Sequence, residues 1–255
     1  MSGAAARILV TGGASGVGAA CAPALLAAGL EPILVDIAAI AAAPTGALVW
    51  ERAFDVADEE AVEAGVEAIE RAHGPLYGVV NAAGVLGKMH LAEKVQMRHW
   101  DREMAIDLRG TFLVCRAAGA RMAARGRGAI VNVASVAGMT SAPAHAYAAA
   151  KAGVIQLTAT LAAEWGRRGV RVNAVSPGFT RTPALEAGVA AGALDRGSMT
   201  HPTALGRLVE AAEVAEAIAW LVSPRASGVT GINLPVDAGF LAGATWDAYG
   251  GFRNA

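Results

Sequence analysis

Short apolar runs alternate with longer segments of helical pattern along the whole chain of 255 residues. A run that is apolar nearly throughout is typical of a strand buried on both faces of a sheet. Seven segments show this pattern: Arg7–Thr11, Pro32–Asp36, Leu48–Phe54, Tyr77–Asn81, Ala129–Ala134, Val170–Ser176 and Ile232–Val236. The pattern therefore predicts seven buried strands.

The segments between these strands predict helices, and several have recognisable ends. Asp58 is a good N-cap for a helix that runs to about His73, with Glu59 and Glu60 in its first turn. The other predicted helices are Gly16–Ala28, Met97–Ala124, Ala144–Trp165 and Val209–Val222. Buried strands that alternate with helices predict an α/β fold with a single doubly wound parallel β-sheet of the Rossmann type.

The chain shows no linker, repeat or low-complexity insertion, so we predict one domain over residues 1–255. Its least regular stretch is 179–208. Because a connection of that length in a compact fold is usually functional, we expect this stretch to cover a substrate.

Composition narrows the class of protein. The chain is 55% hydrophobic and 17% charged, which excludes disorder, and its net charge of −1 argues against nucleic-acid and membrane-surface partners. No apolar run is long enough for a membrane span, and residues 1–7 do not resemble a secretory signal. Two cysteines in apolar surroundings, Cys21 and Cys115, fit buried structural thiols and a cytoplasmic location. We predict no metal site.

A glycine-rich stretch, "TGGASGVG", joins the first predicted strand to the first helix at Thr11–Gly18. Glycines at 12, 16 and 18 permit a tight turn and a close approach of backbone to a pyrophosphate at the helix N-terminus. The spacing is G-x-x-x-G-x-G, which differs from the G-x-G-x-x-G fingerprint. The stretch predicts a dinucleotide site.

Asp36 ends the second predicted strand, where a carboxylate can accept hydrogen bonds from the adenosine ribose. It would repel a 2′-phosphate, and no lysine or arginine follows it in "DIAAIAAA". We therefore predict NAD rather than NADP. The alternative is that Asp36 only caps a helix.

The segment "YAAAK" places Tyr147 and Lys151 four residues apart, on one face of the predicted helix. Alanines between them leave that face clear. Taken alone, the pattern favours an ordinary helix with an incidental tyrosine and lysine over a phenol and an ammonium that share one site.

Six ordered motifs remove this ambiguity: "TGGASGVG", "NAAG" at 81–84, "NVAS" ending at Ser135, "YAAAK", "RVNAVSPG" at 171–178 and "TGINLPVDAG" at 230–239. With them the chain resembles the short-chain dehydrogenase/reductase family, in its single-domain NAD-dependent branch, over essentially its whole length. The resemblance implies an NAD(H)-dependent oxidoreductase that interconverts a secondary alcohol and a ketone.

The resemblance also assigns roles to individual residues. It implies that Tyr147 is the catalytic acid/base, that Lys151 lowers the tyrosine pKa and holds the nicotinamide ribose, and that Ser135 binds the substrate oxygen. The implied cofactor-binding residues are Gly12, Ser15, Gly16, Val17, Gly18, Asp36, Asp55, Val56, Asn81, Ala82, Gly84, Tyr147, Lys151, Pro177, Gly178, Thr180 and Thr182.

Elementary chemistry agrees with this assignment. A free tyrosine has a pKa of ~10, and a neighbouring ammonium and a cationic nicotinamide both favour the phenolate. A hydroxyl such as that of Ser135 can donate to the developing alkoxide, while the nicotinamide carries the hydride.

One residue departs from the family pattern, which usually has asparagine at the position of Asp107 to help hold a water chain from the lysine. Asp107 can keep that role through its backbone carbonyl, and we include it among the catalytic candidates. Its carboxylate could instead reach Lys151 and move the pH optimum upward. Both outcomes stay open at this stage.

The substrate is expected over Ser135 and Tyr147, with Val136 and His145 as candidate contacts. For His145, a loop residue without such a role fits the sequence equally well. Two other functions remain as alternatives, a 3-oxoacyl-carrier-protein ketoreductase and a non-catalytic NAD-binding regulator. Asp36 and the lack of basic surface argue against the first, and the Ser135–Tyr147–Lys151 set argues against the second. The resemblance also implies a homotetramer.

Overall fold

The computed structural model describes residues 6–252, and a parallel sheet lies at its centre. Its strands are β1 (Ala6–Thr11), β2 (Leu30–Val35), β3 (Leu48–Val49), β4 (Gly78–Asn81), β5 (Gly128–Val133), β6 (Val170–Pro177) and β9 (Asn233–Val236), and a separate pair is formed by β7 (Thr180–Arg181) and β8 (Val209–Glu210). The seven strands are all parallel, in the order β3-β2-β1-β4-β5-β6-β9. The predicted doubly wound sheet is confirmed.

Helices cover both faces of the sheet. They are α1 (Gly16–Ala27), α2 (Glu59–His73), α3 (Met97–Glu103), α4 (Thr111–Ala124), α5 (His145–Trp165), α6 (Pro183–Ala190), α7 (Arg196–Thr200), α8 (Ala211–Val222) and α9 (Phe240–Gly243). One core cluster packs α1 and α8 against the sheet, and the other packs α2, α4 and α5 against its opposite face. Strands buried between two such layers must be apolar on both sides, which explains their sequence pattern.

Sequence signals set the ends of α2. Asp58 Oδ1 accepts a hydrogen bond from the Ala61 N–H at 3.0 Å, and Gly74 ends the helix with φ of 89°. The predicted N-cap is therefore confirmed.

Both cysteines are buried, and burial raises the pKa of each thiol to about 12, so they fill the core as protonated side chains.

The structure corrects three predicted elements. The strand expected over 48–54 is only the two-residue β3, and the helix expected from Val209 begins at Ala211 because Val209 and Glu210 pair with β7. The long helix expected over 97–124 is divided by a π-helical segment, Met104–Gly110. Such wider turns often mark functional sites, and Asp107 lies at the middle of this one.

The stretch 179–208 contains more regular structure than its sequence suggests, namely β7, α6 and α7. Within residues 6–252, no helix combines the length and the apolar character needed to cross a bilayer.

Candidate active site

The implied site residues meet at the carboxyl ends of the parallel strands. From β1 the chain adds β2 and β3 on one side of the sheet and then β4 on the other side. The order in which strands are added therefore reverses between β1 and β4. Ligands of doubly wound sheets bind at this crevice.

The glycine-rich loop has the shape that a pyrophosphate requires. Gly12 and Gly16 have φ of 71° and 54°, values that glycine adopts at low cost. A Cβ at Gly12 would lie 2.7 Å from the Ala83 nitrogen, and a Cβ at Gly18 would collide with the Gly12 carbonyl. Ser15 is exposed, and α1 follows it with its free N–H groups and the positive end of its dipole. Val17, in the first turn of α1, is half-buried. The shape of the loop therefore fits a dinucleotide.

Asp36 follows β2 and is held by two backbone hydrogen bonds. Its Oδ2 accepts from the Ala14 N–H at 3.0 Å and its Oδ1 from the Ala38 N–H at 2.9 Å. The carboxylate thus ties the glycine-rich loop to the end of β2. Each oxygen keeps a second acceptor site that a ribose hydroxyl can use.

The adenine-side candidates divide between surface and core. Asp55 is exposed and accepts the Ala57 N–H at 2.9 Å, whereas Val56 is buried against Gly110. Asn81 is buried, and its amide donates to Asn132 Oδ1 at 2.9 Å in the core. The side chain of Asn81 is therefore held in the core, whereas Ala82 is half-buried and Gly84 is exposed.

Helix α5 brings Tyr147 and Lys151 together, as the spacing predicts. The Lys151 Nζ lies 5.4 Å from the centre of the Tyr147 ring and donates to the Val133 carbonyl at 2.9 Å. Lys151 is 4% exposed, so little water surrounds its ammonium group and weakens its electrostatic interactions with neighbouring groups.

Ser135 follows β5 and is held in a turn against α5. Its Oγ accepts the Ala137 N–H at 3.1 Å. In the same turn, a Cβ at Gly138 would lie 2.6 Å from the Ala152 nitrogen. Gly138 therefore allows the Ser135 turn to touch the backbone of the helix that carries Tyr147 and Lys151.

The loop after β6 closes the other side of the crevice. Gly178 packs on Asp237, where a Cβ would lie 2.7 Å from the Asp237 Cα, and Thr180 Oγ1 donates to the Gly178 carbonyl at 3.0 Å. Thr182 caps α6 by accepting the Leu185 N–H at 3.3 Å. A Cβ at Gly16 would lie 3.5 Å from Thr182 Cγ2, so this loop reaches the glycine-rich loop. Pro177, the last residue of β6, is buried beneath it.

Asp107 is fully buried and turned toward the site. Its Oδ1 accepts the Val85 N–H at 2.7 Å, and its Oδ2 has no hydrogen-bond partner among the described residues. Burial raises the pKa of this carboxyl, while the charge of Lys151 and the Val85 N–H oppose that rise in part. The Asp107 carbonyl accepts the Thr111 hydroxyl at 2.8 Å, so the backbone oxygen expected to hold water already has one partner.

The substrate candidates differ in exposure. Val136 is buried in the Ser135 turn, whereas His145 is exposed at the first residue of α5. His145 lines a small cavity together with Glu103, a buried acid that the sequence analysis missed. The sequence signal for Glu103 was its position four residues before Asp107, which places both acids on one face of a helix. Gly138 was also missed, because a small residue in a loop predicts no particular contact.

Comparison with known proteins agrees with this geometry. A family model described as enoyl-(acyl carrier protein) reductase matches residues 12–241. The chain is 41% identical to D-threitol dehydrogenase from Mycolicibacterium smegmatis over 91% of each chain. It is 40% identical to galactitol 2-dehydrogenase (L-tagatose-forming) from Cereibacter sphaeroides over 91% of this chain and 93% of that protein.

Solved structures show the same fold. A structure described as ribose-5-phosphate isomerase from Brucella melitensis 16M has a TM-score of 0.94 and 48% identity over 99% of both chains. The structure of ElxO with NADP bound has a TM-score of 0.87 and 25% identity, covering 93% of this chain and 99% of that one.

The chain belongs to the short-chain dehydrogenase/reductase family. It is an oxidoreductase that interconverts secondary alcohols and ketones, and it uses a nicotinamide cofactor.

Substituting Gly138→Ala tests the contact between the Ser135 turn and α5. The added methyl overlaps the backbone at Ala152, so we expect the free energy of unfolding to fall by about 1–3 kcal/mol and kcat to fall with it. Gly166→Ala is the control, because within residues 6–252 a Cβ there meets no atom of another segment within 4 Å. Urea unfolding and turnover measure both effects, and equal stability of the two variants would contradict the proposed contact.

Proposed function

We propose that this protein is an NAD(H)-dependent dehydrogenase of polyols and related secondary alcohols, with Tyr147 as the general acid/base. The observation that carries the proposal is the buried Lys151 ammonium beside the Tyr147 ring, with Ser135 held against the same helix. The polyol class is supported by the two polyol dehydrogenases to which the chain is similar.

In the proposed reaction each side chain has one task. The Ser135 hydroxyl donates a hydrogen bond to the substrate oxygen, and the Tyr147 phenolate takes the hydroxyl proton during alcohol oxidation. The Lys151 ammonium favours the phenolate form of Tyr147. The nicotinamide, when bound, supplies the hydride acceptor or donor.

NAD is proposed over NADP because of Asp36. The carboxylate is fixed at the end of β2 by Ala14 and Ala38, where it accepts ribose hydroxyls and repels a 2′-phosphate. The NADP-bound ElxO structure shows that the fold itself also accepts the phosphorylated cofactor. The choice therefore depends on residues at this strand end rather than on the fold.

A 3-oxoacyl-carrier-protein ketoreductase remains the alternative within this class of oxidoreductases. The Brucella structure is described as an isomerase, whose reaction involves no net oxidation or reduction. A panel of D-threitol, galactitol, an acetoacetyl thioester and ribose 5-phosphate, followed by NADH absorbance and by product analysis, separates these three functions.

We further propose that the protein is a homotetramer in the cytoplasm. Each subunit is then a single domain, in which residues 179–208 cover the substrate. Two buried, protonated thiols fit a reducing compartment. The small side chains along α4 and α5 permit close packing between subunits, and Phe112 is partly exposed on α4.

Tyr147→Phe removes the phenol oxygen and leaves the ring beside Lys151. We expect NADH binding to persist and kcat to fall by about 100- to 10,000-fold, the usual contribution of general acid–base catalysis. Cofactor fluorescence and single-turnover assays measure the two quantities. If more than about a tenth of the activity survives, Tyr147 is not the acid/base.

Cofactor preference tests Asp36. We expect kcat/KM for NAD(H) to exceed that for NADP(H) by at least about tenfold, or roughly 1.4 kcal/mol. Asp36→Ala should narrow this ratio, and Asp36→Asn separates charge from loop anchoring because it keeps an acceptor for Ala14. Asp58→Asn, which retains the α2 cap, is the control. Equal use of both cofactors by the parent enzyme would refute the assignment.

Light scattering at micromolar concentration tests the assembly. We expect a mass about four times that of the 25.7 kDa chain, because the family resemblance implies a tetramer with two-fold symmetry. A monomer would rule the tetramer out.

A further inference from the structure

The proposed substrate cover, residues 179–208, is anchored at both of its ends. Near its first residues β7 pairs with β8, and Arg181 forms an ion pair with Glu210 at 2.8 Å. Near its last residues Arg207 forms an ion pair with Glu213 at 2.7 Å. Both anchors lie at the start of α8, so they fix the base of the cover but not its middle.

One pair of side chains connects the middle of the cover to a distant part of the chain. His201 Nε2 lies 3.0 Å from Asp247 Oδ1 and 3.1 Å from Asp247 Oδ2. Because an ionised carboxylate only accepts, this nitrogen carries the hydrogen and donates it. Among the described residues, no other side chain within 182–206 forms a hydrogen bond with a side chain outside the cover.

Residues 237–252, the tail, lie along the same part of the cover. The Leu205 N–H donates to the Ala238 carbonyl at 3.0 Å. A Cβ at Gly243 would lie 2.2 Å from the Pro202 carbonyl oxygen, so the two backbones touch there. The tail therefore packs against the cover of its own subunit, and the His201–Asp247 pair adds a polar contact to this packing.

The last part of the tail, the loop 246–252, is closed on itself and presents Asp247. The rings of Trp246 and Phe252 stack with their centroids 5.2 Å apart and their planes at 10°. The Gly251 N–H donates to the Trp246 carbonyl at 2.9 Å, in a turn that Gly251 makes possible with φ of 75°. A loop held at both ends keeps the Asp247 carboxylate in place opposite His201.

We propose that His201 and Asp247 form a latch that holds the cover against the tail, and that both are positioning residues that set KM for the substrate. This inference rests on the proposed function, because it takes residues 179–208 as the substrate cover. With the latch closed, the middle of the cover stays over the crevice and retains the substrate. With the latch open, substrate and product exchange with solvent.

The strength of the pair suits a contact that must break in every turnover. The two side chains are 65% and 63% exposed. An ion pair this exposed changes an equilibrium constant by about fivefold at most, whereas a buried pair is far harder to break. Because lid opening often limits product release, loss of the latch should weaken substrate retention without slowing the chemical step.

Hydrogen–deuterium exchange of the protein without substrate tests the latch in the absence of turnover. We expect Asp247→Ala and His201→Ala each to speed exchange of the Leu205 N–H on the order of threefold, because its bond to the tail then opens more often. Glu60→Ala, which removes an exposed acid in the first turn of α2, is the control. Exchange equal to that of the control overturns the proposal.

Kinetics with the panel alcohol of highest kcat/KM tests the positioning role. We expect KM to rise about threefold in Asp247→Ala and in His201→Ala, with kcat unchanged or higher. The double variant should show no larger rise than either single variant, because all three lack the same contact. His201→Gln keeps an N–H donor for Asp247, so its KM should lie between those of the parent and His201→Ala.

Single-variant effects on KM that multiply in the double variant, a fall in kcat at constant KM, or a KM equal to that of Glu60→Ala overturns the latch. A His201→Gln variant that matches His201→Ala does the same. A parent enzyme that turns over no alcohol in the panel instead contradicts the proposed function, and the exchange of the Leu205 N–H still decides whether the pair holds the cover.

Discussion

A buried ammonium group organises this site. Lys151 is 4% exposed, and a cation withdrawn from water destabilises the fold unless hydrogen bonds and neighbouring charges compensate. The Val133 carbonyl at the end of β5 supplies one such partner, and the Tyr147 ring supplies a second. The contacts of this one group therefore tie α5 to the end of β5.

Close backbone approaches make that arrangement possible. Gly138 lets the Ser135 turn touch α5, and Gly12 lets the glycine-rich loop touch the end of β4. In both places a methyl group would lie less than 3 Å from main-chain atoms, which cannot give way as a side chain can. Interiors packed at this density transmit such a displacement to the functional groups.

The segment between α3 and α4 departs from regular helical geometry beside the buried charged groups. The π-helical segment Met104–Gly110 carries Asp107 into the site, and Glu103 immediately before it lines a cavity beside exposed residues. A wider turn, a fully buried acid and an oxygen that has no hydrogen-bond partner in the described part of the chain thus coincide at one position. Natural chains keep such costly features mainly where function uses them.

The sequence by itself determined the layers and the main chemical groups. Apolar runs between helices require a sheet covered on both faces, Asp58 specifies the start of α2, and the spacing of Tyr147 and Lys151 puts them on one helical face. These are local properties of period and chemistry, so they can be predicted without knowing which elements touch. The role of Ser135 came from resemblance, since its distance along the chain does not say where its turn will pack.

Only the tertiary structure decided the contacts between distant segments. The burial of Glu103, the Val85 partner of Asp107, the inward turn of the Asn81 amide and the contact of Gly138 with α5 each depend on which elements meet in space. The short β3 and the pairing of β7 with β8 have the same origin, because a strand needs a neighbour that its own sequence does not specify. Pattern and residue type therefore determine the elements, whereas desolvation and packing between them determine what each side chain can do.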